Sequence, residues 1–108
     1  ADAELVRLDA AQRQLTDQAE AEARDAYSAL RAAQDQVELA ARELEVARQV
    51  EQAEKTKLEL GASTLFIVNL REQKTAEAAQ RLIDAQKTLM TAWATWRAAT
   101  GRRPDLAP

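Results

Sequence analysis

Large apolar residues recur at intervals of seven along the first half of the chain. Leu30, Val37 and Leu44 follow one another at this spacing, and Leu58 lies two intervals beyond Leu44. The positions between them are taken by alanines, namely Ala26, Ala33, Ala40 and Ala47. A period of seven with small residues in alternate places favours a helix that packs closely against another helix in a left-handed coiled coil. The pattern predicts a first helix over residues 3–60.

A second apolar pattern runs through the other half of the chain. Its members are Leu65, Val68, Ala76, Ala79, Ile83, Leu89, Met90, Trp93 and Trp96. Their spacing is typical of one stripe on a helix and predicts a second helix over residues 65–100. Thr100 and Gly101 form a helix-stop signal, and Pro104 prevents continuation. We therefore expect an extended tail over residues 101–108.

Small and hydroxylated residues separate the two patterns. Gly61 suits the left-handed conformation that ends a helix, and either Ser63 or Thr64 suits the cap of the next helix. The sequence thus predicts a turn over residues 61–64 and an all-α fold, a long antiparallel α-helical hairpin with coiled-coil packing. Folding about this turn pairs residue i of one helix with roughly residue 125 − i of the other. The first two dozen residues are then left without a partner helix.

The composition indicates that the hairpin needs further helices around it. The apolar share of 46% is mostly alanine and only 4% of the 108 residues are aromatic, so a thick core is not expected. Further apolar residues lie off the first seam on both helices, namely Leu39, Val46, Val50, Leu70 and Leu82. Such additional apolar faces favour packing against other helices.

Charge and residue types exclude several classes of function. The net charge of −3 is distributed as mixed-sign pairs with no basic block, so nucleic acid is not an expected partner. Cysteine and histidine are both absent, which removes the usual nucleophiles, general bases and zinc ligands. We expect no enzyme activity, no cofactor and no metal. No apolar run of transmembrane length and no signal peptide are present, and the chain begins at Ala1 without Met, as an excised segment would.

The amino-acid sequence of the turn and of the second helix resembles that of the TolC family of outer membrane efflux channels. The matching segments are 60–70 (LGASTLFIVNL), 71–73 (REQ), 82–85 (LIDA) and 93–101 (WATWRAATG). The resemblance covers nearly the whole chain and is most specific around the turn. It implies a homotrimer in the outer membrane, in which each subunit contributes two such hairpins to a periplasmic helical barrel beneath a β-barrel. This chain resembles one periplasmic hairpin, and the membrane strands are absent from the segment.

The resemblance also implies partners and candidate site residues. The hairpin tip is expected to dock a periplasmic adaptor protein, and an inner membrane pump acts through that adaptor to drive solute export. The tip residues are Gly61, Ala62, Ser63, Thr64, Leu65 and Phe66. From local chemistry alone, a plain helix connection is the favoured interpretation of these residues, and the resemblance shifts the preference to docking. The sequence identifies neither the exported substrate nor the particular adaptor.

Candidate residues lining the inner aperture are Asn69, Glu72, Glu51 and Glu54, of which the two last occupy seam positions of the first helix. Family members often carry acidic residues just after the tip, where this chain has Ile67 and Leu70, so a charged gate is not supported by the pattern. The alternatives are a solvated helix face and, less favoured, a carboxylate site for a hard cation.

The apolar run after the turn and the two tryptophans are further candidates for packing or binding. The run from Phe66 to Leu70 either contacts a partner or packs against Leu58 and Leu60. Trp93 and Trp96 are expected to anchor packing against the first helix around residues 31–33, with Tyr27 joining the same group.

Two other classes of function share this composition. One is the coiled-coil hairpin of a periplasmic adaptor (membrane fusion) protein, or a purely structural interaction module. The tip of such adaptors has Arg and Leu ahead of a Ser, whereas Ser63 precedes Leu65 here. The other class is an amphipathic binder of lipid surfaces, which the high alanine content disfavours.

Overall fold

A computed structural model describes residues 2–101 of the chain, and these form two helices joined by a short turn. Helix α1 spans Asp2–Glu59 and helix α2 spans Leu65–Gly101. No strand is present in this part of the chain, so the predicted all-α hairpin is confirmed. α1 begins and ends one residue before its predicted limits, and α2 continues one residue further, through Gly101. The rest of the predicted tail, with Pro104, lies outside the described residues.

The end of α1 is a Schellman motif centred on Gly61. This glycine has a φ of 75°, the left-handed region that costs a residue with a Cβ about 1–2 kcal/mol. The Gly61 amide donates to the Leu58 carbonyl at 3.0 Å, and the Ala62 amide donates to the Lys57 carbonyl at 2.8 Å. These two bonds satisfy carbonyls that the helix end otherwise leaves unpaired. The left-handed role predicted for Gly61 is confirmed.

Thr64, rather than Ser63, caps the second helix. The Thr64 hydroxyl accepts a hydrogen bond from the Ile67 amide at 3.3 Å, and the Thr64 carbonyl accepts the first helical bond from Val68 at 3.1 Å. This is the geometry of an N-cap residue followed by its third helical residue. The Ser63 hydroxyl takes no part in this cap, and its Oγ is buried.

The hairpin divides into two compact units, each built from both helices. We call Ala33–Leu89 the tip unit, and Asp2–Ala32 with Met90–Gly101 the terminal unit. Inter-helix contacts in the tip unit join Glu54 to Arg71, Ala47 to Thr75 and Glu43 to Arg81. In the terminal unit Tyr27 contacts Trp96. The two numbers of each pair add up to between 122 and 125, which confirms the predicted pairing within each unit.

The seam of α1 is buried where the sequence pattern places it. The buried residues are Ala23, Ala26, Leu30, Ala33, Ala40, Leu44 and Glu54. Val37, Ala47, Glu51 and Leu58 on the same seam are half-buried. Thr75 on α2 donates a hydrogen bond to the Ala47 carbonyl at 3.3 Å as well as to its own Arg71 carbonyl at 3.1 Å. A side chain as short as threonine reaches the other backbone only because alanines line the seam.

The prediction that these apolar residues form one packed stripe on α2 is wrong for most of them. Its seam instead has two series, each with a period of seven: Val68, Thr75, Leu82, Leu89 and Trp96, and Arg71, Ala78, Ala85, Ala92 and Ala99. Leu65, Ile83, Met90 and Trp93 are exposed. The prediction followed the large side chains, whereas one of the two seam series consists of alanines from Ala78 to Ala99, which allow the helices to pack closely. Leu82, predicted to lie off the seam, belongs to it.

The first turns of α1 are exposed. Leu5, Val6, Leu8 and Leu15 all have exposed side chains, and Ala23 is the first buried residue. The expectation that the leading residues have no partner helix is therefore confirmed for residues 2–15, all of which are exposed, whereas Thr16, Ala19 and Glu20 are already half-buried.

Candidate docking tip

The tip presents large apolar side chains to solvent. Leu60 is 78% exposed, Leu65 61% and Phe66 77%. These residues lie in a run of eleven, residues 60–70, that contains no charged side chain. Such a cluster of exposed apolar side chains makes the tip a candidate interaction surface.

The first turn of α2 divides the apolar run between the seam and solvent. Val68 is 5% exposed because it occupies the first seam position of α2. Ile67 is half-buried, whereas Phe66 and Leu70 are exposed. The two interpretations of this run are therefore each right for some residues, since Val68 packs in the seam and Phe66 does not pack. Leu60, one of the proposed partners for packing, is itself exposed.

A small polar cluster lies beneath this apolar surface. Glu54 is only 7% exposed, and its Oε1 accepts from the Arg71 Nε at 3.4 Å. The pKa of Glu54 is held below its ordinary value, first by the Ser63 hydroxyl and then by the Arg71 guanidinium. The Ser63 Oγ is buried and makes no hydrogen bond of normal geometry with any described residue, so Arg71 provides the defined contact to the Glu54 carboxylate. Arg71 and Ser63 thus hold the Glu54 charge inside the seam.

A second carboxylate is held one helical turn further from the tip. The Glu51 carboxylate forms an ion pair with the Lys55 ammonium at 2.7 Å. The hydrogen bond from Lys55 is the largest cause that lowers the pKa of Glu51. The same carboxylate raises the pKa of Lys55. Both seam glutamates are therefore ionised and partnered inside the hairpin.

The four candidate aperture residues divide into two groups in this structure. Glu51 and Glu54 lie in the seam, while Asn69 and Glu72 are exposed on the first turns of α2. Lys55, which pairs with Glu51, also interacts with the charge of Glu72. Among residues 2–101 no group of three or more acidic side chains has the geometry to hold a metal ion.

The aromatic contact in the terminal unit involves Trp96 rather than Trp93. The Tyr27 and Trp96 ring centroids are 5.5 Å apart with the planes tilted by 57°, a favourable arrangement for an aromatic pair. Trp96 is buried, whereas Trp93 is 39% exposed with the Arg97 guanidinium 5.7 Å from its ring centroid. A shallow groove of about 320 Å³ runs beside the pair between Glu20 and Ser28. The expected anchoring role is seen for Trp96 with Tyr27.

Sequence reasoning missed how much apolar surface α2 leaves outside the seam. Ile83 and Met90 were assigned to the seam but are exposed. The unbroken series of alanines at intervals of seven from Ala78 to Ala99 is the sequence signal that distinguishes the seam face of α2 from its exposed face.

Neither described helix contains an apolar stretch long enough to cross a membrane. Comparison of the chain with protein-family models, curated proteins and solved structures found no match in any of the three.

Proposed function

We propose that this chain is a segment of an outer membrane efflux or secretion channel of the TolC kind. In this proposal the hairpin forms part of the periplasmic tunnel wall, and its tip docks a periplasmic adaptor protein. The observation that carries the proposal is the exposed, uncharged tip, in which Phe66 and Leu60 are more than three quarters exposed at the turn. A turn that served only as a connection would gain solubility from polar residues at these positions.

The structure of the tip suits docking against another helical hairpin. Gly61 and Ala62 add no bulk at the turn, so a partner backbone is able to approach closely. Phe66 and Leu65 offer apolar area that is desolvated only on binding, and aromatic residues are frequent energetic centres of interfaces. The Schellman motif and the Thr64 cap order this surface before it binds, which lowers the entropic cost of association.

The channel would act by assembly rather than by chemistry. A wall of such hairpins encloses a water-filled path through which solutes pass, and a separate pump in the inner membrane supplies the energy. Residues of the hairpin therefore contribute shape and contacts, and selection of the exported solute belongs to the pump.

The proposal is tested with the full-length protein that contains this hairpin. Purified protein is reconstituted into planar lipid bilayers, and stable single-channel conductance is expected. Purified channel that carries Phe66→Ser is expected not to retain the adaptor. In cells that depend on the channel for export, the same substitution is expected to reduce efflux of a fluorescent substrate.

The matched control is Leu15→Ser, which removes an exposed apolar side chain from α1 away from the turn. This variant should retain the adaptor and export the dye normally. Retention of the adaptor by Phe66→Ser would refute the docking role of the tip. Adaptor binding without conductance would instead favour a structural interaction module or an adaptor hairpin.

A further inference from the structure

Two glutamates interrupt the apolar seam of α1 close to the turn. From Ala23 to Ala47 the seam positions hold alanine, leucine or valine, whereas the next two positions hold Glu51 and Glu54. Glu54 is the more deeply placed of the two, with 7% of its surface exposed. A carboxylate in such a place is costly unless its partners offset the loss of water. The docking surface proposed above is built from exposed apolar side chains and makes no use of this buried group.

The stability of the hairpin does not require a carboxylate at residue 54. Two buried charges lose hydration when they pair, and replacing such a pair by apolar residues of similar volume is often neutral or stabilising. The Arg71 side chain is 42% exposed, so water would solvate it if its partner were removed. We therefore expect Glu54 to contribute to the geometry of the tip more than to the stability of the hairpin.

The Glu54 carboxylate lies where three segments of the tip unit meet. Glu54 belongs to α1, Arg71 to α2 and Ser63 to the turn. The Arg71 Nε donates to the Glu54 Oε1 at 3.4 Å, and the Ser63 hydroxyl is the largest influence that lowers the pKa of the carboxyl. Among residues 59–66, all of which the structure describes, Ser63 alone is not exposed, and its Oγ is buried. The turn thus reaches the seam through Ser63, at the Glu54 carboxylate.

The backbone bonds of the turn are local by comparison. The amides of Gly61 and Ala62 donate to carbonyls at the end of α1, and the Thr64 hydroxyl accepts from an amide at the start of α2. Each of these bonds joins the turn to one helix. Glu54 has a partner in the turn and a partner on the opposite helix, so it fixes the turn relative to both helices.

The conformation of the turn decides how the apolar side chains of the tip are presented. Leu60, Leu65 and Phe66 lie within three residues of Ser63 on either side. Their side chains are 61–78% exposed, so packing in the seam does not hold them in place. A surface that is ordered before binding loses less conformational entropy when its partner arrives. A group that orders the turn therefore strengthens docking without touching the partner.

We infer that Glu54, through Ser63 and Arg71, is a positioning residue that holds the turn in its docking conformation. The inference rests on the proposed function for the role of the tip, and it adds the group that orders the tip. Glu51 provides an internal comparison. It is a seam glutamate of the same helix, but its carboxylate pairs at 2.7 Å with Lys55 on α1 itself, one helical turn further from the tip.

Amide hydrogen exchange of the 108-residue protein, followed by NMR, tests the ordering role. Glu54→Met keeps an unbranched side chain in the seam and removes its charge and its acceptors. Exchange of the Gly61 and Ala62 amides is expected to become faster by about tenfold or more, because the turn then opens without unfolding of the helices. The thermal unfolding midpoint is expected to be equal or higher. A residue that only stabilised the hairpin would lower that midpoint instead.

Three further variants show which contacts matter. Glu51→Met makes the same change in the neighbouring seam layer and is expected to leave exchange in the turn unchanged. Ser63→Ala removes the contribution of the turn and leaves both helices intact, so the same two amides should exchange faster. Glu54→Gln keeps an acceptor oxygen and is expected to retain most of the protection of these amides.

The consequence for docking is measured with the full-length protein and its adaptor. Glu54→Met is expected to weaken binding by about threefold or more, because the docking conformation becomes only a fraction of the population. Glu51→Met is expected to bind the adaptor as the parent protein does.

Several results would overturn the inference. Unchanged exchange of Gly61 and Ala62 in Glu54→Met would do so, as would an equal rise in Glu51→Met. Uniformly faster exchange over both helices with a lower unfolding midpoint would reduce Glu54 to a general stabilising role. Parent-like affinity of Glu54→Met for the adaptor would show that docking does not depend on the order of the turn. If the parent protein bound no adaptor, the proposed function would fail, while the exchange rates would still decide whether Glu54 orders the turn.

Discussion

The Arg71 Nε lies 3.4 Å from the Glu54 Oε1, in a layer of the seam close to the turn. This cross-helix ion pair forms in only one alignment of the two helices. A seam of alanines and leucines at uniform spacing tolerates a shift by one heptad, whereas a shifted Glu54 would face an alanine or solvent. Removing Arg71 leaves the Glu54 carboxylate, whose side chain is 9% exposed, without its charged partner, which is unfavourable. The pair therefore helps to set the register of the hairpin.

Acid is expected to weaken the tip unit. The pKa values of Glu54 and Glu51 are lowered in the folded hairpin, so the unfolded chain takes up protons first as the pH falls. The stability that these carboxylates contribute is present above their ordinary pKa of about 4.5 and is lost as the pH falls through the lowered folded values. Thermal unfolding followed by circular dichroism from pH 6 to about pH 2 checks this.

Glu54→Gln should flatten part of this acid dependence, because its neutral amide has no proton to gain. Glu38→Gln, at an exposed position of α1, serves as the control and should leave the dependence unchanged. If the melting temperatures of Glu54→Gln and the parent chain fell in parallel with pH, the Glu54 carboxylate would not be the group responsible.

Gly61 and Gly101 are expected to respond to alanine with opposite signs. No atom lies within 4 Å of the Cβ position at either residue, so sterics are not limiting. Gly61→Ala nevertheless forces an L residue into a φ of 75° and should lower the free energy of unfolding by about 1–2 kcal/mol. Gly101→Ala lies in a helix with no positive φ and should be neutral or raise stability by up to about 1 kcal/mol. Urea titrations measure both, and equal effects would contradict a left-handed requirement at Gly61.

Phe66 and Val68 are expected to differ sharply although they are two residues apart. Phe66→Ala removes a side chain that is 77% exposed and should change stability by no more than about 0.5 kcal/mol. Val68→Ala removes buried methyl groups, since Val68 is 5% exposed, and should cost about 2 kcal/mol. The comparison is made by denaturant unfolding of the two variants. A large loss for Phe66→Ala would mean that the tip surface is already packed in solution.

Ala40 and Ala41 provide a test of how close the helices lie. Ala40 is 1% exposed in the seam, whereas Ala41 is exposed. Ala40→Leu should push the helices apart and cost about 1–3 kcal/mol. Ala41→Leu, with the same change in volume, should have little effect. Tolerance of leucine at residue 40 in thermal melts would show a wider seam than the structure has.

Local signals in the sequence were enough to predict the two helices and their connection. Gly61 ends α1 because only glycine adopts a left-handed conformation without cost, and this requirement is readable from a single residue. The period of seven on α1 likewise identified its buried face, since large apolar residues at Leu30 and Leu44 leave one solution.

On α2 the same reasoning chose the wrong face. Large residues such as Ile83 and Met90 are stronger signals than Ala85 and Ala92, yet the alanines are buried. Which stripe faces the partner depends on how closely the backbones approach, and that distance is a property of both helices together. The choice of Thr64 over Ser63 as the cap was equally beyond the pattern, because either hydroxyl fits the local sequence.

What the sequence alone determined is therefore the set of elements, the place of the turn and the alignment of residue i with roughly 125 − i, because these follow from local conformational preferences and chain connectivity. What only the tertiary structure decided is which residues each helix buries and which it presents. Ala78 is buried and Phe66 is exposed because Ala78 lies on the face of α2 that meets α1, whereas Phe66 lies off that face. The surfaces available to partners are thus a consequence of packing rather than of hydrophobicity.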